Sequence, residues 1–496
     1  MGHRGRWRRR ALGTLLCAAV GGSLALPAVR AANSSAVDCE SPAPNPDPKA
    51  DPNAWRQRDA QNLLCATQRQ QDELSNPAFL RKWAVEDAKA EPQVAGVLLG
   101  QAAEPTRPHV NPIYPNPTAK VGDPFRMPDE WEAAGRGQVE RFSIIASTGA
   151  KLVARLYSPN AVPNEQPLPA IAFIPGLQSY NEVNEWFAEG MAEAGYVVLI
   201  LDPQGQGDSE NLPHNPDGSI NCSASGCPNA QTNDKPETAS AIEFLLSTPS
   251  QPYKYAVGAN AAGTLTYNPL WARIDDNRIG IAGHSLGAIA VTPIGQEDPR
   301  VKAVVSYDNI DAKLPAADLP SIHAPTLFFG VDYAFPSVLT PKDPSSPPDP
   351  DQHIKAAYGQ LVAAGVDAMA IDTRASTHYE FGYQPFPASF QASRYGERVT
   401  FSYSLAWFDR YLKGDTDATK RLTELTFDGS ADVHSIGAGT FDQAAATADP
   451  ANPSAGNVPY KITGKCVANL LSFYYHSAYS LDGGTLTSTD MRSRGC

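Results

Sequence analysis

Basic residues are scarce in this chain relative to acidic ones. It holds 40 Lys and Arg against 53 Asp and Glu, and its formal charge falls from −13 to −19 once the six arginines of residues 1–31 are left out. An excess of negative charge of this size repels a phosphate backbone. Nucleic acid is therefore excluded as an expected partner.

Long apolar runs are also lacking after the N-terminal start. Residues 1–31 combine a basic stretch up to Arg10, an apolar stretch over 11–26 and a Val-Arg-Ala site at 29–31. This pattern predicts a signal peptide cleaved after Ala31, and the apolar stretch is too short for a membrane span. We expect a secreted, extracellular protein with no stable membrane anchor. The general export route is favoured, and a twin-arginine signal is the alternative.

Cysteine is infrequent and forms no C-x-x-C pair, which argues against a zinc site. No metal and no cofactor is expected. Six cysteines remain after Cys17 leaves with the signal peptide, and an even number in an oxidising compartment predicts disulfides. Fifteen arrangements are possible. Nearest-neighbour pairing would join Cys39 to Cys65, Cys222 to Cys227 and Cys466 to Cys496.

The hydrophobic pattern of residues 138–415 indicates an α/β domain. Residues 139–145 and 151–157 alternate apolar and polar side chains about a Thr-Gly turn, which predicts an antiparallel hairpin. Short, almost wholly apolar runs follow, with helical stretches between them; such runs are typical of strands buried on both faces of a parallel sheet. We predict a mostly parallel, doubly wound sheet whose strands include residues 170–174, 197–201, 279–282, 301–305, 326–329 and 368–371.

Two extensions flank this domain. Residues 32–137 are rich in proline, and helices are predicted over 54–74 and 76–90, docked as a surface clasp without chemistry. Residues 416–496 are predicted to pack on this α/β domain through an apolar stripe at helical spacing, formed by Val467, Leu470, Leu471, Tyr474 and Ala478. With the signal peptide, this gives four segments: 1–31, 32–137, 138–415 and 416–496.

The Gly-His-Ser-Leu-Gly sequence at 283–287 follows an apolar strand and opens a helical stretch. A G-x-S-x-G pattern in this context is typical of a nucleophile elbow, in which a serine stands on a sharp turn between strand and helix. Ser285 is therefore the candidate nucleophile.

An activated serine needs a base and an acid, and these groups collect at the carboxyl ends of parallel strands. Asp332 follows the run at 326–329, and His378 follows the run at 368–371. The order Ser285, Asp332, His378 is the expected one. Asp308, which follows the preceding strand, is the alternative acid, and His284 is expected to pack.

The oxyanion of an ester intermediate needs two hydrogen-bond donors. One is expected to be the backbone N–H of Leu286, the residue after the nucleophile. The other is expected from the Pro-Gly-Leu-Gln loop at 175–178, with Leu177 as the donor and Gln178 as its substitute.

With these motifs in this order, residues 138–415 resemble the α/β-hydrolase superfamily. The Pro-Gly-Leu loop, the elbow and the helical stretch that ends at Gly414 look like those of secreted bacterial cutinase-type polyesterases and dienelactone-hydrolase-like esterases. The chain departs from the polyesterases at Leu177, where they usually place an aromatic residue. The resemblance implies ester hydrolysis through an acyl-enzyme.

The sequence thus predicts a monomeric serine esterase acting on a small or polymeric ester. An acyltransferase that uses the same residues is the first alternative, because only the acceptor would differ. A peptidase or amidase and a non-catalytic binding protein are weaker ones.

Overall fold

The computed structural model describes residues 38–42, 46–103, 121–160, 166–177, 179–222, 234–309, 314, 322–334, 339–351, 354–384, 391–434, 440–441, 457–458 and 460–496. The predicted signal peptide at 1–31, Gln178 and Cys227 lie outside these residues. Within them, no helix has both the length and the apolar character needed to cross a membrane.

A mixed ten-stranded sheet forms the centre of the structure, with strand order β1-β2-β4-β3-β5-β6-β7-β8-β11-β12. Neighbours from β4 through β3 to β8 run parallel, and the flanking pairs are antiparallel. The strands are β1 Gln138–Ile145, β2 Lys151–Ser158, β3 Leu168–Ile174, β4 Val197–Leu201, β5 Ile274–His284, β6 Val301–Tyr307, β7 Thr326–Tyr333, β8 Ala368–Thr377, β11 Ala478–Leu481 and β12 Leu486–Ser488, with β9 Thr440–Phe441 and β10 Asn457–Val458 forming a separate pair.

Helices cover both faces of the sheet, so the chain has an α/β fold. The helices are α1 Pro52–Asp72, α2 Pro77–Ala103, α3 Pro128–Ala133, α4 Glu185–Glu193, α5 Lys235–Leu245, α6 Leu286–Glu297, α7 Lys355–Ala363, α8 Arg394–Phe408, α9 Ala418–Thr423 and α10 Val467–Leu470. One hydrophobic core joins the sheet to α4 and α8, and a second joins its other face to α5 and α6. Helices α4, α5, α6 and α7 each lie between two successive parallel strands and supply the crossovers that a parallel sheet needs.

The predicted hairpin and the six apolar runs are confirmed as strands. The hairpin pairs Gln138 with Ser158 and Ile145 with Lys151, and each apolar run lies within one of β3 to β8. Apart from the exposed Lys302, these runs are buried because both faces of the central strands are covered by helices.

The C-terminal segment differs from the predicted helical stripe. All five residues of the stripe are buried, but only 467–470 is helical, and Ala478 begins β11. Strand β11 pairs with the free edge of β8, which satisfies backbone groups that would otherwise face solvent. Its partner β12 follows a turn in which Asp482, Gly483 and Gly484 have positive φ.

The N-terminal helices are tied to the rest of the chain by covalent and ionic contacts. Cys39 and Cys65 form a disulfide, which anchors α1. Glu73, just after α1, lies 3.1 Å from the guanidinium of Arg394 in α8. Arg394 also donates to Asp123 over 2.8 Å, and all three side chains are buried.

Candidate active site

Candidate functional residues lie at the carboxyl ends of five neighbouring parallel strands. Gly176 follows β3, Ser285 follows β5, Asp308 follows β6, Asp332 lies near the end of β7, and His378 follows β8. Because β3, β5, β6, β7 and β8 are adjacent and parallel, these ends meet along one edge of the sheet. The edge is therefore the candidate active site.

Ser285 occupies a sharp turn between β5 and α6, with φ 56° and ψ −114°. Its N–H donates to the carbonyl of Tyr307 over 2.9 Å, which holds the turn against the end of β6. A Cβ at Gly287 would lie 2.0 Å from the carbonyl oxygen of Ile174, and one at Gly283 would lie 2.6 Å from the carbonyl carbon of Gly287. The two glycines thus allow the helix to start this close to β3.

A line of hydrogen bonds runs from Ser285 through His378 to Asp308. The Oγ of Ser285 is 2.8 Å from Nε2 of His378, and Nδ1 of His378 is 2.5 Å from Oδ2 of Asp308. Ser285 is half-buried, His378 is 5% exposed and Asp308 is fully buried. A carboxylate can only accept, so Nδ1 carries the proton and Nε2 is left to accept from the serine hydroxyl.

The carboxylate hydrogen-bonded to His378 is that of Asp308 and not that of Asp332, so the geometry favours the alternative acid over the first choice. Oδ2 of Asp332 instead accepts from the backbone N–H of Ala375 over 2.6 Å and from the amide of Asn62 over 2.7 Å. Asp308 reaches His378 because its backbone has φ 47°, a left-handed conformation that aspartate tolerates better than most residues. Its N–H donates to Phe329 of β7, which fixes that conformation.

His284, which was expected only to pack, also contacts the candidate active site. Its Nε2 lies 2.9 Å from the carbonyl oxygen of His378, so this nitrogen carries the proton and donates. Burial, with the charge of His378 adding to it, lowers the pKa of His284 to about 3. The ring is therefore neutral at ordinary pH and holds the backbone of His378 in place. Its position beside Ser285 in the elbow was the only sequence signal for this contact.

The predicted oxyanion donors are the N–H groups of Leu286 and Leu177. Leu286 is the first residue of α6, so its N–H has no acceptor within the helix. The loop after β3 lies directly against Ser285, since a Cβ at Gly176 would be 2.8 Å from Cβ of Ser285. Leu177 follows this glycine and is half-buried.

Aromatic side chains support the site from the core. Tyr307 stacks on Phe329 with ring centroids 5.1 Å apart, and Phe381 packs against both. Tyr379 contacts the imidazole of His378 edge-on at 5.8 Å. Among the described residues, no group of three or more His, Cys, Asp and Glu side chains is arranged to hold a metal ion.

Two of the three expected disulfides are seen between described residues, Cys39 with Cys65 and Cys466 with Cys496. Cys222 is also disulfide-bonded, and its expected partner Cys227 is outside the described residues. Disulfides suggest an extracellular location, because they persist in oxidising compartments.

No family model matches the chain. Among curated proteins it is similar to Cutinase 2 of Thermobifida cellulosilytica, with 21% identity over 266 residues, covering 52% of this chain and 74% of that protein. It is also similar to Cutinase cut1 of Thermobifida fusca, with 22% identity over 266 residues, covering 52% of this chain and 61% of that protein. The match thus spans about three fifths of the latter relative. This distant, partial similarity supports a relationship with cutinases and, in general terms, an ester hydrolase.

Proposed function

We propose that the chain is a secreted serine hydrolase of the α/β-hydrolase fold that cleaves carboxylic esters through an acyl-enzyme. The observation that carries this proposal is the hydrogen-bonded line of Ser285, His378 and Asp308 on a strand-to-helix elbow. The similarity to cutinases supports the ester class independently of this geometry.

Acylation begins at Ser285. Nε2 of His378 takes the hydroxyl proton while Oγ attacks the ester carbonyl carbon, and the carbonyl electrons move to the oxygen. Asp308 stabilises the imidazolium that forms and keeps its proton on Nδ1. When the carbonyl re-forms, the C–O bond to the alcohol breaks, and His378 gives its proton to the leaving alkoxide.

The N–H groups of Leu177 and Leu286 are the proposed donors to the oxyanion. Donors fixed in the backbone need no reorganisation as charge develops, which is why this contribution to rate is usually large. The N-terminus of α6 adds a favourable partial charge at the same place.

Deacylation repeats these steps with water as the nucleophile. His378 takes a proton from water, hydroxide adds to the acyl carbon, and the proton returns to Oγ of Ser285 as the acid is released. Each turnover consumes one ester and one water, and yields one acid and one alcohol. If an alcohol replaced water in this step, the chain would be the acyltransferase that was the first alternative.

The test is turnover of p-nitrophenyl esters from acetate to palmitate by the mature protein and by Ser285→Ala. The variant should lose about 10⁴-fold or more in kcat/KM, because no other group can form the acyl-enzyme. Ser345→Ala, which changes an exposed serine in a loop, is the matched control and should equal wild type. Equal activity in wild type and Ser285→Ala would overturn the proposal.

A further inference from the structure

Asp332 is a buried carboxylate at the catalytic edge that the proposed mechanism does not use. It is 1% exposed, and one of its oxygens, Oδ2, accepts both hydrogen bonds already described. No described group donates to its other oxygen. A carboxylate held in this way has a role in placing its two donors, Ala375 and Asn62.

Ala375 belongs to a bulge in β8 immediately before His378. Val331 pairs with Thr373 and Tyr333 pairs with Thr377. Between these two pairs β7 has one residue and β8 has three, which defines the bulge. Within the bulge, Ala375 is fully buried and has φ 50°, which is strained for a residue with a side chain. The structure must therefore stabilise this conformation, and the hydrogen bond from Ala375 N–H to Asp332 does so.

The bulge determines where His378 stands. Beyond it, the N–H of His378 donates to the carbonyl of Ala334 over 3.1 Å, and its carbonyl accepts from His284. These contacts fix the backbone of His378 from one side. The hydrogen bond to Asp332 holds the backbone at Ala375, three residues before His378. With the backbone held at these points, the imidazole reaches Ser285 and Asp308 together.

Helix α1 completes this arrangement. Asn62 of α1 donates to Asp332, and Arg69 of α1 donates to the carbonyl of Arg374, the residue before Ala375. Asp59 of α1 accepts from the hydroxyl of Tyr474 over 2.5 Å. The N-terminal helix thus contacts the bulge directly through Arg69, and through Asn62 it contacts Asp332, which accepts from the bulge.

We propose that Asp332 is a positioning residue that acts through the β8 bulge on His378. In this proposal α1 supports the active site because its Asn62 holds the Asp332 carboxylate. This inference rests on the proposed function, since it assigns a role relative to the Ser285, His378 and Asp308 line. It gives Asp332 a task that differs from that of a catalytic acid.

Asparagine distinguishes the two roles. In Asp332→Asn, the amide oxygen can accept from both Ala375 and Asn62, and the amide nitrogen takes the place of the oxygen that has no described donor. A positioning role is therefore retained. A catalytic acid is not retained, because replacing the acid of such a triad with asparagine costs about 10⁴-fold in rate.

The experiment measures phosphonylation of Ser285 by a fluorophosphonate, with the maximal rate and half-saturating concentration determined separately. This readout needs no knowledge of the natural ester. We expect Asp332→Asn to stay within about threefold of wild type, and Asp308→Asn to lose about 10⁴-fold. Asp332→Leu should lose about 10²-fold, mostly in the maximal rate, since misplacement by about 1 Å has this effect. Asn62→Leu should show a smaller loss of the same kind.

Melting temperatures accompany these rates, so that a variant that does not fold is recognised. Should Asp332→Leu fail to fold, Asp332→Asn and Asn62→Leu still decide the question. A loss in Asp332→Asn as large as that in Asp308→Asn would overturn the inference, and so would full rates in folded Asp332→Leu or Asn62→Leu. Wild-type protein without label on Ser285 would contradict the proposed function instead.

Discussion

Replacing Glu237 with glutamine should make the stability of the protein less sensitive to pH. Glu237 lies in the first turn of α5, and Asp234 precedes that helix. The two side chains are 0% and 1% exposed, and no side-chain hydrogen bond or ion pair to either carboxylate is seen among the described residues. Burial raises the pKa of Glu237 to about 8, and the backbone N–H groups of Glu237 and Gln204 oppose this only in part. Burial, together with Glu237, also raises the pKa of Asp234.

The sign of the effect follows from these pKa values. A raised pKa in the folded state means that Glu237 keeps its proton after folding, whereas in the unfolded chain it ionises near its ordinary value of 4.5. Folding therefore takes up a proton between pH 4.5 and about 8, and the stability that Glu237 contributes is lost as pH rises through this window. One proton corresponds to about 1.4 kcal/mol per pH unit. Between pH 5 and pH 7 the loss from Glu237 is roughly 3 kcal/mol.

Urea unfolding of wild type and Glu237→Gln, followed by tryptophan fluorescence at pH 5, 6 and 7, measures this effect. The difference in unfolding free energy should shift in favour of the variant by roughly 3 kcal/mol from pH 5 to pH 7. Glu243→Gln on the same helix is the control. Burial acts to raise the pKa of Glu243, but hydrogen bonds from Arg300 and Lys254 outweigh burial and lower this pKa. Glu243→Gln should therefore leave the pH dependence of the unfolding free energy between pH 5 and pH 7 unchanged. Parallel pH profiles for wild type and Glu237→Gln would refute the reasoning.

Further predictions concern the elbow and the N-terminal disulfide. Gly287→Ala should cost about 2 to 3 kcal/mol of unfolding free energy, because its Cβ would meet backbone at 2.0 Å. Gly359→Ala in α7 has no atom within 4 Å of the new Cβ and should gain about 0.5 to 1 kcal/mol, so equal melting temperatures would contradict the steric argument. Replacing Cys39 and Cys65 together with alanine should cost about 3 kcal/mol in urea unfolding, and an unchanged midpoint would show that the disulfide does not constrain the chain.

The strands and the elbow could be predicted because their signals are local. A strand covered on both faces is apolar at nearly every position, and this pattern can be read from the sequence within one segment. The signal for Ser285 is also local, because its two flanking glycines are required by sterics. A Cβ at Gly287 would collide with Ile174, and a Cβ at Gly283 would collide with Gly287. His378 was found because it follows the last parallel strand of the predicted sheet.

The acid could not be assigned from the sequence, because the choice depends on contacts between distant segments. Asp308 and Asp332 both lie at the ends of apolar strands, and either could reach an imidazole on β8. In the structure, the backbone N–H of Ala375 in the bulge and the side-chain amide of Asn62 both donate to Asp332. Neither contact leaves a periodic pattern in the chain. The Asp-Asn pair at 308–309 was the available signal, since these residue types adopt left-handed backbone conformations readily.

The strand β11 was missed for a related reason. Four residues are too few for a strand pattern to stand out from the helical spacing of the residues before them. The Asp-Gly-Gly sequence at 482–484 was a hairpin signal that could have found it. Its pairing with β8 spans more than a hundred residues of sequence, which no local pattern records.

Both extensions converge on β8, the strand that leads to His378. Strand β11 pairs with its outer edge, and α1 contacts the bulge that ends it. Without β11, β8 would be an edge strand with unpaired backbone groups, and without α1, Asp332 would lose one of its two donors. The predicted boundaries at 138 and 415 were drawn around the residues with a recognisable sequence pattern. The contacts that hold the candidate base in place involve residues outside them, in α1 and β11. We expect the extensions to be needed for activity because they stabilise this one strand.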